Sequence, residues 1–384
     1  MIYLLVLSLF LTTGCWDRRE INDLAIVMAA GFDQGEQDSV RMTVQIFLPK
    51  TASSGTGQMS KGPGGSGETI SLSSEGVTAA SSLSGLRSRL SRHIFWGHND
   101  VILLGDELAK EGIEDVIDFT MRNSEMRERT DVFVVDGQVE EALNINPSLE
   151  RSSAETLREL TNMHAGINTN VKELVEMLKG DSGAAVLPTL KVSSNGESTP
   201  NEQLGLNITG TAILKKDKLV GWVNPYKTRG ILWVRNTFHP DVINIEPVRN
   251  EGAFTIQVIQ GETKLKPQIR GEDWSMDIFI HLKAKVLEST LLTQPRYKKY
   301  AKELEEEINT YVEQCVQDTL HHMQTKLKAD VFDFAQAFHM KYPKEWEKNQ
   351  NQWDIVLPKI QVHVHVSAGI VSEGKLSNMN TELK

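Results

Sequence analysis

The chain has 384 residues, a formal net charge of −10, 40% hydrophobic residues and 24% charged residues. This composition is typical of a folded globular protein with two or three domains. The net negative charge disfavours general attraction to nucleic acid or to an anionic lipid surface. The sequence also lacks a run of Lys and Arg interleaved with aromatic residues, which is typical of a nucleic-acid groove. With only two cysteines, the chain cannot form a disulfide framework.

The first element is a short apolar run at residues 2–11, followed by two threonines, Gly14 and Cys15. A membrane-spanning helix needs roughly 20 apolar residues, whereas the core of a signal peptide needs roughly 7–15. Small residues before a cysteine at the end of such a run resemble the lipobox of bacterial lipoproteins, although Thr12 stands where leucine is usual. The sequence therefore predicts a signal peptide at 1–14, cleavage before Cys15, and a diacylglycerol on its thiol.

A polar spacer at 15–23 connects the predicted lipid to the first predicted strand. Two acyl chains anchor a protein stably, since each buried CH₂ contributes about 0.8 kcal/mol. About nine extended residues span roughly 30 Å, so we expect the folded part to lie close to the membrane. Five residues of the spacer are candidate contacts with membrane partners, the alternative being a solvated linker: Trp16, Asp17, Arg18, Arg19 and Glu20.

Residues 24–200 alternate between strand-like and helix-like patterns, which indicates an N-terminal mixed α/β domain. The predicted strands cover residues 24–32, 40–48, 94–104, 131–135 and 184–192. The predicted helices cover residues 76–92 and 107–122 and two segments within 151–180, which are separated by a break at His164, Ala165 and Gly166.

Residues 201–250 are predicted to form a small middle domain, with a hairpin at 206–224. The next segment, 228–236, fits either a third strand or a short helix.

Residues 251–374 are predicted to form a C-terminal α+β domain. Residues 242–290 alternate as strands do, and residues 297–327 carry apolar side chains at helical spacing without Pro or Gly. The expected fold class is α+β: a three-domain mixed α/β lipoprotein whose C-terminal domain is an antiparallel sheet packed by the long helix 297–327.

Two patterns suggest ligand chemistry. The segment 62–67 matches the GxGxxG pattern of dinucleotide-binding loops, but such a loop needs a strand directly before it. Polar residues precede this segment and Pro63 lies within it, which favours a linker. His363 and His365 alternate on a predicted strand and face one side, as two metal ligands can. Three further histidines lie nearby in sequence, yet half-exposed strand histidines are the simpler interpretation.

Two other features concern possible catalysis. Cys315 lies on the apolar stripe of the long predicted helix, which favours a buried inert thiol over a nucleophile. A polar cluster at one predicted helix–strand junction fits either a general base at His98 or a structural network. Its members are Arg87, Arg89, Arg92, His93, His98 and Asp100. Standard hydrolase, zinc and nucleotide motifs are absent from the sequence, so no cofactor is expected.

Several ordered blocks resemble one known family. CWDRREINDLA at 15–25 resembles the start of the mature Ger(x)C proteins, the C-subunit lipoproteins of nutrient germinant receptors in spore-forming bacteria. Further blocks similar to that family occur at residues 93–113, 122–129, 210–234 and 330–366. One departure is Val371-Ser372-Glu373, where the family often has a basic pair.

The resemblance implies a three-domain α+β fold and a non-catalytic role in nutrient-triggered germination. It also implies two integral membrane partner subunits, of A and B type, on the outer face of the spore inner membrane. Two alternatives remain open from the residues alone: a solute-binding lipoprotein of a membrane transporter, and a metal-dependent hydrolase that uses the C-terminal histidines.

Overall fold

The computed structural model describes residues 23–48, 68–147, 149–194, 204–246, 252–290 and 297–372. The predicted signal peptide at 1–14, Cys15, the five candidate contact residues at 16–20 and the glycine-rich segment 62–67 lie outside these ranges. The described strands form two sheets, one of nine strands and one of four. Within the described ranges, no helix is both long enough and apolar enough to cross a bilayer.

The larger sheet, here the large sheet, carries the first part of the chain. Its strands are β1 Leu24–Gln34, β2 Val40–Leu48, β3 Glu68–Gly76, β4 His93–Phe95, β5 Val101–Gly105, β6 Asp131–Val135, β7 Ala184–Ser194, β8 Leu204–Lys215 and β9 Lys218–Val223. Their order is β3-β2-β1-β5-β6-β7-β8-β9, with β4 paired to the start of β1. The central pairs from β1 to β7 are parallel and both flanks are antiparallel. Central strands such as β5 are buried along their whole length, as parallel strands covered on both faces are.

Helices cover both faces of the large sheet. They are α1 Ala79–Arg89, α2 Asp106–Glu111, α3 Glu114–Arg122, α4 Val139–Leu143, α5 Ser153–Asn162 and α6 Val171–Lys179. The single helix predicted at 107–122 is two helices, because Gly112 ends α2 at a φ of 144°. A side chain would be strained in that conformation, so the chain turns there.

The predicted middle segment 201–250 has no sheet of its own among the described residues. Its strands β8 and β9 extend the large sheet, because β8 pairs antiparallel with β7. The segment at 228–236, for which strand and helix were both open, lies mostly in helix α7, Pro225–Val234. Asn224 begins this helix by accepting a hydrogen bond from the Lys227 N–H at 3.0 Å, and Pro225 occupies the first turn.

The second sheet, here the small sheet, contains β10 Asp241–Ile245, β11 Phe254–Arg270, β12 Asp273–Ser289 and β13 Gln361–Ser372. The order is β10-β11-β12-β13. The prediction of an antiparallel C-terminal sheet is correct for the first three strands and wrong for β13, which pairs parallel with β12. Two parallel strands need a crossover between them, and the long helix provides it. The predicted α+β class is confirmed.

The long helix is also confirmed. Helix α8 covers Tyr297–His322, and a π-helical turn continues it over Met323–Leu327. Its buried stripe packs against the small sheet and α7: Leu304, Ile308, Val312, Cys315, Val316 and Leu320. The chain then returns to the sheet through α9 Phe334–Lys341, α10 Pro343–Asn349 and α11 Trp353–Val356.

A buried carboxyl group connects β1 to α4 in the large sheet. Asp33 is 8% exposed and accepts hydrogen bonds from the Val139 N–H, at 3.0 Å to Oδ1 and 3.2 Å to Oδ2. Burial raises the pKa of Asp33 to about 6, and the Val139 N–H opposes this shift. The protonated Asp33 carboxyl group therefore stabilises the folded state at low pH, and this contribution is lost as pH rises through about 6.

We predict that Asp33→Asn removes this part of the pH dependence. Relative to wild type, the free energy of unfolding of the variant should rise by about 2 kcal/mol between about pH 4 and pH 7. Chemical denaturation at several pH values measures this difference. The control is Asp115→Asn, an exposed residue of α3. Parallel stability profiles for wild type and Asp33→Asn would contradict the prediction.

Candidate functional site

The predicted histidine pair lies on an open face of the small sheet. The ring of His365 stacks on Phe279 at 4.8 Å, and its Nε2 lies 3.5 Å from Asp277 Oδ1. In the strand register His363 is opposite Asp277. His339, on α9, instead pairs with Asp181 at 2.8 Å. Among the described residues, no three His, Cys, Asp or Glu side chains lie close enough together to bind one metal ion.

The two features considered for catalysis, Cys315 and the polar cluster around His98, make structural contacts where they are described. The Cys315 thiol is buried and donates to the Tyr226 carbonyl oxygen at 3.0 Å, and burial raises its pKa to about 12. It is therefore protonated and unreactive at neutral pH, as predicted. In the polar cluster, Arg89 donates to the Ser73 carbonyl oxygen, whereas Asp100 pairs with Arg158 at 3.3 Å. These are separate contacts between neighbouring elements.

The structure shows a site that the sequence did not predict, at the junction of the two sheets. Two adjoining cavities of about 330 Å³ and 380 Å³ lie there. Residues 163–170, between α5 and α6, form one wall. Residues 225–241, which contain α7 and its connection to β10, form the other. Clefts between units that carry a few polar groups are common sites for small molecules.

Two stacked histidines join these walls. The rings of His164 and His239 are 3.6 Å apart between centroids and 4° from parallel. His164 adopts a φ of 53°, a left-handed conformation that is uncommon for residues other than glycine. Burial lowers the pKa of His239, and the neighbouring His164 lowers it further. Neutral rings can stack closely, whereas two imidazolium rings would repel each other.

Charged groups in the cavities are mostly paired within the protein. Arg229 donates from Nε to Asp241 Oδ2 at 2.6 Å. In the second cavity, burial raises the pKa of Asp131 to about 6, and Arg235 donates to the Val331 carbonyl oxygen at 2.9 Å. The arrangement could hold a small polar molecule against the apolar wall formed by Trp233 and its neighbours.

Sequence reasoning identified one part of this junction and missed the rest. The break between two helices near His164 was visible, since Ala165 and Gly166 interrupt the helical pattern. The sequence did not indicate that His164 would contact His239. The two residues are distant in sequence, and the pairing of β7 with β8 brings their segments together.

Two family models match almost the whole chain. The spore germination protein N-terminal domain matches residues 17–192. The spore germination B3/GerAC-like C-terminal domain matches residues 209–374. The interval between them contains the end of β7 and the start of β8, so both models contribute strands to the large sheet.

Individual relatives agree with these models. A putative spore germination protein, YfkR of Bacillus subtilis, is 28% identical and is matched over 94% of each chain. Spore germination protein KC of the same organism is 26% identical, over 98% of this chain and 96% of its own. The crystal structure of the GerBC protein superposes with a TM-score of 0.54 at 20% identity, covering 92% of this chain and all of that one. The chain therefore belongs to the GerAC family of spore germination proteins.

Proposed function

We propose that the chain is a lipid-anchored, non-catalytic subunit of a spore nutrient germinant receptor. It assembles with two integral membrane subunits of A and B type on the outer face of the spore inner membrane. The observation that supports this most strongly is the match to spore germination proteins over almost the whole chain. The family model of the N-terminal domain begins at residue 17, just after Cys15, and does not include the apolar run before it.

The anchor gives the physical basis for assembly. A diacylglycerol on Cys15 would confine the folded part to a thin layer above the bilayer, because strand β1 begins at Leu24. Confinement raises the effective concentration of the chain around its membrane partners, so weak protein contacts suffice for assembly. Trp16, Asp17, Arg18, Arg19 and Glu20 are the residues nearest the bilayer in this arrangement.

The chemistry of the described residues supports a role in binding rather than catalysis. The buried Cys315 thiol has a raised pKa and is occupied by a backbone carbonyl. His363 and His365 lie on an open sheet face, away from both cavities of the junction. The cavities contain paired charges and a stacked histidine pair, which suit structural contacts or reversible binding.

We predict that Cys15→Ala releases the protein from the membrane and impairs nutrient-triggered germination severely. The reason is the loss of both acyl chains and of the confinement that they provide. Membrane fractionation of spores and the loss of optical density after nutrient addition measure the two effects. The matched control is Cys315→Ala, which removes a buried thiol and should leave membrane retention unchanged. Normal germination with full membrane retention of Cys15→Ala would contradict the anchor.

The junction cavities favour one alternative, a solute-binding lipoprotein of a transporter. Titration calorimetry of the full chain with amino acids and sugars separates the two functions. The proposed receptor subunit should show no tight saturable binding, because Arg229, the arginine of the first cavity, is already paired with Asp241. Tight binding that is abolished by His239→Ala, but not by the exposed control His281→Ala, would favour the transporter protein.

A further inference from the structure

The open face of the small sheet, here the outer face, has an unusual distribution of charge. Along β12, alternate residues from Met276 to Val286 are buried against the core formed with α8. The intervening residues face outward, and they are Asp277, Phe279, His281, Lys283 and Lys285. The outer face is therefore polar and accessible along the whole middle of this strand.

The neighbouring strands add more cations to the same face. On β11, Lys266 is opposite Asp277, Lys264 is opposite Phe279, and Glu262 is opposite His281. On β13, His363 and His365 are opposite Asp277 and Phe279. The outer face thus collects lysines and histidines from three strands, although the chain as a whole has a net charge of −10.

The carboxylates within this face are already paired. Glu262 binds Lys264 at 2.9 Å. Asp277 accepts a hydrogen bond from Gln268 and lies 3.5 Å from His365. Both carboxylates therefore have partners on the same face, and the ion pair of Glu262 with Lys264 neutralises one of the two negative charges.

Three lysines of the outer face, in contrast, have no carboxylate partner among the described residues: Lys266, Lys283 and Lys285. Lys266 Nζ lies 4.3 Å above the ring of Phe279, a cation–π contact that keeps it on the face. The uncompensated charge is therefore positive.

Apolar side chains surround the end of the face near Lys285. Val242, Ile259, Leu287 and Val371 are 49%, 46%, 47% and 59% exposed. Lys285 pairs with Gln257, which pairs with Val242 on β10, and Val371 lies at the bulge beside Lys285 on β13. A group of exposed apolar side chains rimmed by polar residues is typical of a surface that contacts a protein partner or a membrane.

We propose that the outer face docks on an anionic lipid surface. The unpaired lysines would bind lipid phosphates, and the apolar residues around Lys285 would enter the headgroup region. A positively charged face can bind anionic lipid although the chain as a whole is acidic. Salt screens the interactions between charges beyond about 10 Å at moderate ionic strength. The choice of lipid rather than an acidic protein rests on the proposed anchor at Cys15, which would hold the chain at a bilayer surface.

The test measures vesicle binding by the full chain carrying Cys15→Ala, so that no acyl chain contributes. Vesicles of phosphatidylcholine alone are compared with vesicles of equal parts phosphatidylglycerol and phosphatidylcholine, by sedimentation at low and high salt. The charge variant is Lys283→Gln with Lys285→Gln, and the apolar variant is Leu287→Ser. The matched control is Lys172→Gln with Lys179→Gln, two exposed lysines of α6 that change the net charge equally.

We expect tighter binding to the phosphatidylglycerol vesicles, and about a tenfold loss of that binding with the charge variant. Leu287→Ser should weaken binding to a smaller extent, and the control pair should leave it unchanged. Equal binding to both vesicle types would overturn the proposal, as would an equal loss with the control pair. Because the assay omits the lipid anchor, failure here leaves the Cys15 prediction standing.

Discussion

The parallel pairing of β13 with β12 is the constraint that shapes the C-terminal half. Two parallel neighbours cannot be joined by a tight turn, so the chain must cross over one face of the sheet. That crossover contains α8 and the three short helices after it, and these helices pack on the inner face of the sheet. The same crossover leaves the outer face uncovered by any described element, and this is where the unpaired lysines lie.

The contact between α7 and α8 connects this half to the large sheet. Gly230 of α7 lies directly against Thr319 and Cys315 of α8, so a larger side chain there would push the helices apart. Because α7 follows immediately from β9, the packing of α8 also fixes the edge of the large sheet. The stacked His164 and His239 lie at the same junction of the two sheets.

Local patterns predicted most elements well. Residue spacing predicted the long helix and the buried, unreactive thiol of Cys315. Turn residues predicted the hairpin of β8 and β9. The failures concern information that is not local. The split at Gly112 depends on one backbone conformation within an apolar pattern that continues across it. The direction of β13, and the meeting of His164 with His239, depend on pairing between distant segments.

The resemblance of the blocks to germination proteins was available from the sequence, whereas neither the junction cavities nor the outer face was. The histidines of β13 show why: VHVHV indicated a shared side of a strand, but not which side the core would cover. Only the register with β12 reveals that this side also carries lysines from the neighbouring strands.

We propose that the mature protein begins at a lipidated Cys15, and mass spectrometry of membrane-extracted protein can test this. Trypsin cleaves after Arg18, so the first peptide should contain Cys15, Trp16, Asp17 and Arg18. We expect this peptide to begin at Cys15 and to carry a diacylglycerol on its sulfur. A peptide that still contains residues before Cys15, with an unmodified thiol, would contradict the claim.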